Sequence, residues 1–443
     1  MRVRSLALLL LIGGVAMAAP VHYALTIAVS VDGTISGEAI ISSTAPADWP
    51  EAVVRLYPAA LDRTSLVLTG AWVDGEEVDW ESIEPSTATV SLSASAGQTF
   101  SMTLAFAGRV PEFGQALGYG TFARSPHAIV LAQAYPILAP WDEGWVVHPV
   151  FPWGDAVVAD VADYCLDLTI PDGWIAVASG MEEEIAPGRY RVEGMNLREM
   201  AIVVLRGYES QAVTAGEVAV RSFTRPEHRQ AGQAALRITA QALDVFVERL
   251  GPHPFPDLDV VAVPLRAAAG VEYPRLILAG EVYYERYPSD SLFFPMIFAH
   301  EVAHQWWYAE VGNDQIAEPW VDEALATYTS GLYFEAQGRF PEILRYWESG
   351  YAGGQLQNRT ARVTSPLWEF PSGSGYGGIV YSGGALFFQS VRERIGDGAF
   401  FGALRRYRRE FQWQLANGED LLRVLAEESP QPLDDLFVIW LGL

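Results

Sequence analysis

Lysine is absent from this chain of 443 residues, so each of its 29 basic side chains is an arginine, set against 54 aspartates and glutamates. The net charge of -25 leaves little cationic surface for phosphates, which argues against nucleic acid and against an anionic membrane surface as partners. Cysteine occurs once, at Cys165, so an intramolecular disulfide is excluded and the fold must rest on its core and any bound metal. Alternation through Asp163-Tyr164-Cys165-Leu166-Asp167-Leu168 puts that thiol on the polar side of a strand, as a lightly covered structural cysteine rather than a nucleophile. Bilayer-length apolar runs are missing too. The run from Leu6 to Val15 is too short for a comfortable span. With Arg2 and Arg4 before it and Ala16-Met17-Ala18 after it, residues 1–18 have the form of a secretory signal peptide. The expectation is an exported protein, periplasmic or extracellular, soluble and without an integral span once the leader is cleaved; an uncleaved anchor is the alternative.

Histidine is scarce as well, with seven in the chain, and two of them stand one helical turn apart in His300-Glu301-Val302-Ala303-His304. Side chains at i and i+4 share a helix face, so this HExxH spacing lets two ring nitrogens converge on one cation at about 2.0–2.1 Å while the intervening carboxylate reaches its water. An idle motif on a solvated helix is the competing reading. The flanks oppose it: Phe293-Phe294-Pro295-Met296-Ile297-Phe298-Ala299 before and Gln305-Trp306-Trp307-Tyr308 after are too apolar for a solvated helix. Buried imidazoles beside buried carboxylates are costly unless a cation pairs them. Nineteen residues after His304, Glu323 lies near the start of a second helical pattern and can supply a third ligand. Two imidazoles, one carboxylate and water suit zinc, one ion per chain, whereas magnesium or calcium would call for mostly oxygen ligands.

A chain of this length exceeds what one core usually organises, so at least two domains are expected. Residues 19–206 read as an all-β domain. Strand-like runs cover 23–30, 34–42, 88–92, 100–106, 162–170 and 200–205, with hairpin signals at Asp32-Gly33 and Asp74-Gly75. Residues 207–443 read as a mixed, then mainly helical domain. An amphipathic helix is expected over 227–250, a short strand over 258–263, the metal helix from a cap at Asp290 to Gly312 and its partner from 318 to 338. Further helices are expected over 341–352, 380–395, 398–411, 418–428 and 432–442. Asn358-Arg359-Thr360 is a sequon of the kind that arises by chance.

The stretch His300-Glu301-Val302-Ala303-His304-Gln305-Trp306-Trp307, followed by Glu323 after an eighteen-residue gap, resembles the M1 family of zinc aminopeptidases, the gluzincins similar to aminopeptidase N. That resemblance implies a multidomain α+β fold, an N-terminal β domain followed by a thermolysin-like, mainly helical zinc peptidase domain. It implies His300, His304 and Glu323 as zinc ligands and Glu301 as general base. Ala269-Gly270-Val271-Glu272-Tyr273 is similar to the family's GxMEN, with Val for Met and Tyr for Asn, which makes Glu272 the candidate for binding the substrate's α-ammonium. Gln133 is the candidate that helps hold the same amine. Tyr381-Ser382-Gly383-Gly384-Ala385 resembles YxKGA, with Gly383 in place of the Lys, and implies Tyr381 as oxyanion donor; Tyr376 is the competing tyrosine. Nothing after Leu443 corresponds to the family's C-terminal helical domain, so a short form with a more open cleft is expected.

The resemblance thus implies a zinc metallo-aminopeptidase acting on peptides with a free N-terminus. An endopeptidase or other small-substrate hydrolase on the same site is an alternative. A non-catalytic gluzincin-like binding protein is a third, disfavoured because the expected catalytic groups are all present.

Overall fold

The computed structural model describes residues 21–443 apart from Leu61 and Leu117. The expected leader over residues 1–18 lies outside the described residues. No helix among the described residues is long and apolar enough to cross a membrane.

Period-two alternation builds the first half. In Val21–Val29 the side chains of Tyr23, Leu25, Ile27 and Val29 are buried while those between them face outward, as a strand with one face on a core requires. Asp32-Gly33 turns the chain into Thr34–Thr44, and Asp74-Gly75 joins Val67–Val73 to Glu76–Glu77, so both expected hairpins form. An eight-stranded sheet results, ordered Met181–Ala186, Arg189–Leu197, Ala162–Thr169, Val21–Val29, Thr34–Thr44, Thr99–Arg109, Val67–Val73, Glu76–Glu77. Within it Val21–Val29 pairs in parallel with Ala162–Thr169, and Cys165 is exposed on the polar side. A four-stranded sheet of Ile137–Leu138, Trp49–Arg55, Thr87–Ala94 and Trp80–Glu84 shares its core.

A third sheet, Ile175–Ala178, Ile202–Leu205, Ala128–Leu131 and Phe122–Arg124, is apolar on both faces. Ile129, Leu131, Ile202 and Val204 pack into the β core, whereas Val130, Val203 and Leu205 pack against Val261, Val263, Leu276 and Leu278. Those last four belong to a five-stranded sheet, ordered Glu209–Ala215, Val218–Thr224, Asp257–Val263, Leu276–Gly280, Gly270–Tyr273. Its central strands run parallel and are continuous apolar runs, as burial on both faces demands. Val260, Ala262, Ile277 and Ala279, in alternation with the residues facing the β half, point into the helical core. The sheet edge Gly270–Tyr273 and the helices behind it carry the candidate site.

Helices Arg229–Leu250, Phe293–Ala303, Trp320–Ala336, Phe340–Gln357 and Gly418–Glu428 account for most of the helical half. The helix starts later than expected, with Leu292 at the N-cap, although Asp290 Oδ1 still accepts the Phe293 N–H at 2.7 Å. The metal helix does not continue to Gly312 but stops at Ala303. Side-chain anchoring overrides helical periodicity there: Gln305 accepts the Arg275 N–H at 2.8 Å and donates to the Tyr273 carbonyl at 3.1 Å, and the Trp307 indole donates to Thr329 Oγ1 at 2.9 Å. The two helices expected at 380–395 and 398–411 form on either side of Gly396, whose φ of 78° and ψ of 162° are not helical, within the long stretch Gly384–Glu410. Ahead of it, Gly377–Gly383 winds as a wide π turn. The last expected helix, 432–442, is likewise a single turn, Asp434–Leu436, continued as a π turn over Phe437–Leu441.

The turns after the metal helix are bolted to the long C-terminal helix. Fully buried Glu310 accepts hydrogen bonds from Arg408 and, at 2.6 Å, from Gln412, while Trp413 N–H donates to the Glu310 carbonyl at 2.9 Å. Removing one member of a buried ion pair strands the other. Arg408→Met is therefore expected to lower stability by about 3 kcal/mol, read by denaturant unfolding.

Candidate metal centre

His300 and His304 end the helix Phe293–Ala303, and Glu323 sits in the first turn of Trp320–Ala336, packed beside it. Their donor atoms converge: the two Nε2 atoms are 3.0 Å apart, and Glu323 Oε2 lies 3.2 Å from His300 Nε2 and 3.4 Å from His304 Nε2. Ligands arranged tetrahedrally at about 2.0–2.1 Å from one ion stand about 3.3 Å from each other. His304 Nδ1 lies 2.9 Å from the Trp307 carbonyl. A carbonyl only accepts, so Nδ1 carries the proton and Nε2 presents its lone pair inward. Glu323 Oε2 is buried without a hydrogen-bond partner. Three lone pairs facing one point fit a divalent cation, and this donor set fits zinc.

Glu301, 5% exposed, leans away from this point toward the sheet edge, and its Oε2 is also unpartnered. Room for it exists because Gly270 has no side chain: a Cβ there would stand 2.6 Å from Glu301 Cδ. Burial, reinforced by the Glu272 charge, pushes the Glu301 carboxyl well above the usual range. Burial would do the same to Glu323, but the imidazoles of His300 and His304 that face it hold it below its ordinary value. Tyr381, on the wide turn Gly377–Gly383, stacks on His300 with ring centroids 5.5 Å apart, and its hydroxyl donates to Glu323 Oε1. Tyr376 meets Tyr381 edge to face at 5.3 Å. Both tyrosines line one cleft of about 940 Å³ with His300, Glu301, Glu323 and Glu272. A smaller cavity of about 340 Å³ adjoins it and shares Glu272; Gln133 stands in its wall, donating its amide to Glu199.

Residues 234–440 match the model of the Peptidase family M1 domain. The second half of the chain thus resembles a family M1 peptidase domain. Among the M1 relatives it resembles are aminopeptidase M1-B of Oryza sativa subsp. japonica, 30% identical over 233 residues, which are 50% of this chain and 26% of the relative. Aminopeptidase M1 of Arabidopsis thaliana is 25% identical over 301 residues, 63% of this chain and 34% of the relative. The match thus spans only a quarter to a third of these curated relatives' length. In fold the chain is similar to the M1 zinc metallopeptidase of Deinococcus radiodurans, at 20% identity, TM-score 0.69, over 95% of this chain and 93% of that one. A mutant of that protein bound to a Tyr-Ser-Ala substrate matches with TM-score 0.68 at 20% identity, over 96% and 95%.

Of the site residues expected from sequence, His300, Glu301, Glu323, Glu272 and Tyr381 line the cleft, Gln133 lines the cavity beside it, and His304 meets His300 and Glu323 through its Nε2. Sequence reasoning missed the groups around them. Thr327, one helical turn after Glu323, brings its hydroxyl to 3.5 Å from His300 Nδ1, and the i+4 spacing was the available signal. Asp322 accepts from Gln315 at 2.8 Å and Asn313 at 3.2 Å, bracing the start of the glutamate helix. Asp155 and Tyr119, from loops of the β half, line both the cleft and the smaller cavity. No local pattern could have placed them. The cleft lining contains Asp155, Glu272, Glu301 and Glu323 and, among the described residues, no arginine.

Such an excess of buried negative charge is expected to make the native state zinc-linked. Zinc in excess of its dissociation constant should raise the melting temperature of the chelator-treated protein, and Glu323→Ala should abolish both the rise and the zinc found by elemental analysis.

Proposed function

We propose that this chain is an M1-type zinc-dependent aminopeptidase, removing N-terminal residues from peptides with a free α-amine. The convergence of His300, His304 and Glu323 beside Glu301, in a cleft whose wall also carries Glu272, supports the reading. In this reading residues 19–206 form the β domain and residues 207–443 the catalytic domain. Zinc held by the two imidazoles and Glu323 would supply a Lewis acid for the scissile carbonyl and lower the pKa of a water. Glu301 takes a proton from the attacking water as the water oxygen bonds to the carbonyl carbon, then delivers the proton to the nitrogen as the C–N bond breaks.

Tyr381 donates its hydroxyl hydrogen to the oxygen on which charge grows, an interaction stronger in the transition state than in the ground state. Glu272 and Gln133 receive the α-ammonium, and an acylated N-terminus would leave that carboxylate buried and unpaired. The curated relatives named aminopeptidase are consistent with this chemistry. Export is part of the proposal, on the leader-like pattern of residues 1–18.

Aminoacyl arylamides should be hydrolysed and their N-acetylated analogues resisted, with activity lost to chelator. Equal rates on the two substrates would remove the amine-binding role. Glu301→Gln should keep zinc by elemental analysis while turnover falls by about three orders of magnitude or more; full activity in that variant would sink the mechanism. Gly270→Ala tests the fit behind the general base. Displacing Glu301 by a fraction of an ångström should lower kcat about ten- to a hundredfold with zinc content unchanged.

A further inference from the structure

One carboxylate in the wall of the smaller cavity has no part in the mechanism above. Glu199 is 2% exposed, and its hydrogen bonds come from two neutral groups, the Tyr308 hydroxyl on Oε1 and the Gln133 amide on Oε2. The adjacent guanidinium of Arg198 is committed elsewhere, donating to the carbonyls of Tyr308 at 2.7 Å, Ala159 at 2.8 Å and Gln414 at 3.3 Å. Burying a carboxylate on neutral donors alone is costly, and burial lifts this one to about 7 against the bonds from Tyr308 and Gln133. Both donors stand on backbone that side chains rarely adopt, with φ 49° at Gln133 and φ 125° at Tyr308. Tertiary structure imposes those conformations, and both direct a donor at Glu199.

We propose that Glu199 is a positioning residue for amine recognition, fixing the side-chain amide of Gln133 so that its Oε1 is left to receive the substrate α-ammonium alongside Glu272. A terminal amide can turn by half a rotation at little cost, exchanging donor for acceptor. An ionised carboxylate removes that freedom. It accepts only, so Nε2 must face it, and the flipped amide would set two oxygens together. Gln133 and Glu272 line the same cavity, and with Nε2 held by Glu199 the oxygen of Gln133 is the acceptor left for a cation there. Free to turn, Gln133 would spend part of its time offering N–H groups to an ammonium, which repels them. The inference rests on the aminopeptidase reading.

The experiment is a double-mutant cycle on leucyl p-nitroanilide at pH 8, where Glu199 is ionised, with thermal melts on every protein. Glu199→Gln should raise KM about tenfold and leave kcat within about twofold. In a Gln133→Leu background the same change should move KM by less than about twofold, because its effect passes through Gln133. Combining Glu199→Gln with Gln133→Glu restores one carboxylate and one amide in exchanged places and should bring KM back to within about threefold of wild type. An unchanged KM, an equal rise in both backgrounds, or a loss confined to kcat overturns the proposal. If Glu199→Gln does not fold, Tyr308→Phe removes the other anchor of the carboxylate and carries the same expected rise in KM, again lost in the Gln133→Leu background. Wild type that cleaves N-acetyl-leucyl p-nitroanilide as fast as the free amine defeats the aminopeptidase reading and this proposal together. Selective wild type that is indifferent to residue 199 defeats only the latter.

Discussion

Negative charge held out of water is the constraint on which the centre of this molecule turns. Glu272, Glu301 and Glu323 are each at least nine-tenths buried around two imidazoles, and Asp322 is buried directly behind them. No arginine lines the cleft among the described residues. In a medium of low effective dielectric such a cluster is stable only when cations complete it. Among the described residues lining the cleft no arginine supplies one, so a metal beside the imidazoles and an ammonium beside Glu272 are the natural complements. In the proposed reading, catalytic chemistry and substrate selection draw on the same electrostatic deficit.

Two halves of the chain meet to make that deficit usable. The helical half contributes the imidazoles, Glu301 and Glu323, and the sheet edge Gly270–Tyr273 contributes Glu272. The β half contributes Gln133, Asp155 and Glu199 through loops and strand ends. What fixes one half on the other is apolar: Val130, Val203 and Leu205 against Val261, Val263, Leu276 and Leu278. Arg198 adds a polar clamp, reaching from the β half to the carbonyls of Tyr308 and Gln414. Dense packing of this kind transmits small displacements, so polar groups from both sides can be held to hydrogen-bonding tolerance.

Local chemistry was legible in the sequence where spacing alone determines geometry. His300, Glu301 and His304 are related by one helical turn, and the hairpins at Asp32-Gly33 and Asp74-Gly75 by turn stereochemistry; these appeared where expected. Periodicity failed at the end of the metal helix, because the apolar run Trp306-Trp307-Tyr308 continues a helical pattern while Gln305 and Trp307 are pulled onto the strand edge and the neighbouring helix. Similarly, Tyr381 belongs to a widened turn rather than the start of a regular helix, and the glycines around it gave no indication of which turn would form. Asp155, Tyr119 and Glu199 were invisible for a different reason: each reaches the cleft or its cavity through tertiary packing between segments far apart in sequence, which no local window contains.

The pairing of Val21–Val29 with Ala162–Thr169 on one side and Thr34–Thr44 on the other carries a consequence for how the protein assembles. A strand near the beginning of the chain is an interior member of its sheet, so one of its two edges stays open until synthesis has passed Thr169. Long-range parallel closure is slow, and an apolar strand waiting for its partner is vulnerable to pairing with another molecule. Until then the growing polypeptide is a natural client for whatever cellular machinery shields unpaired edges.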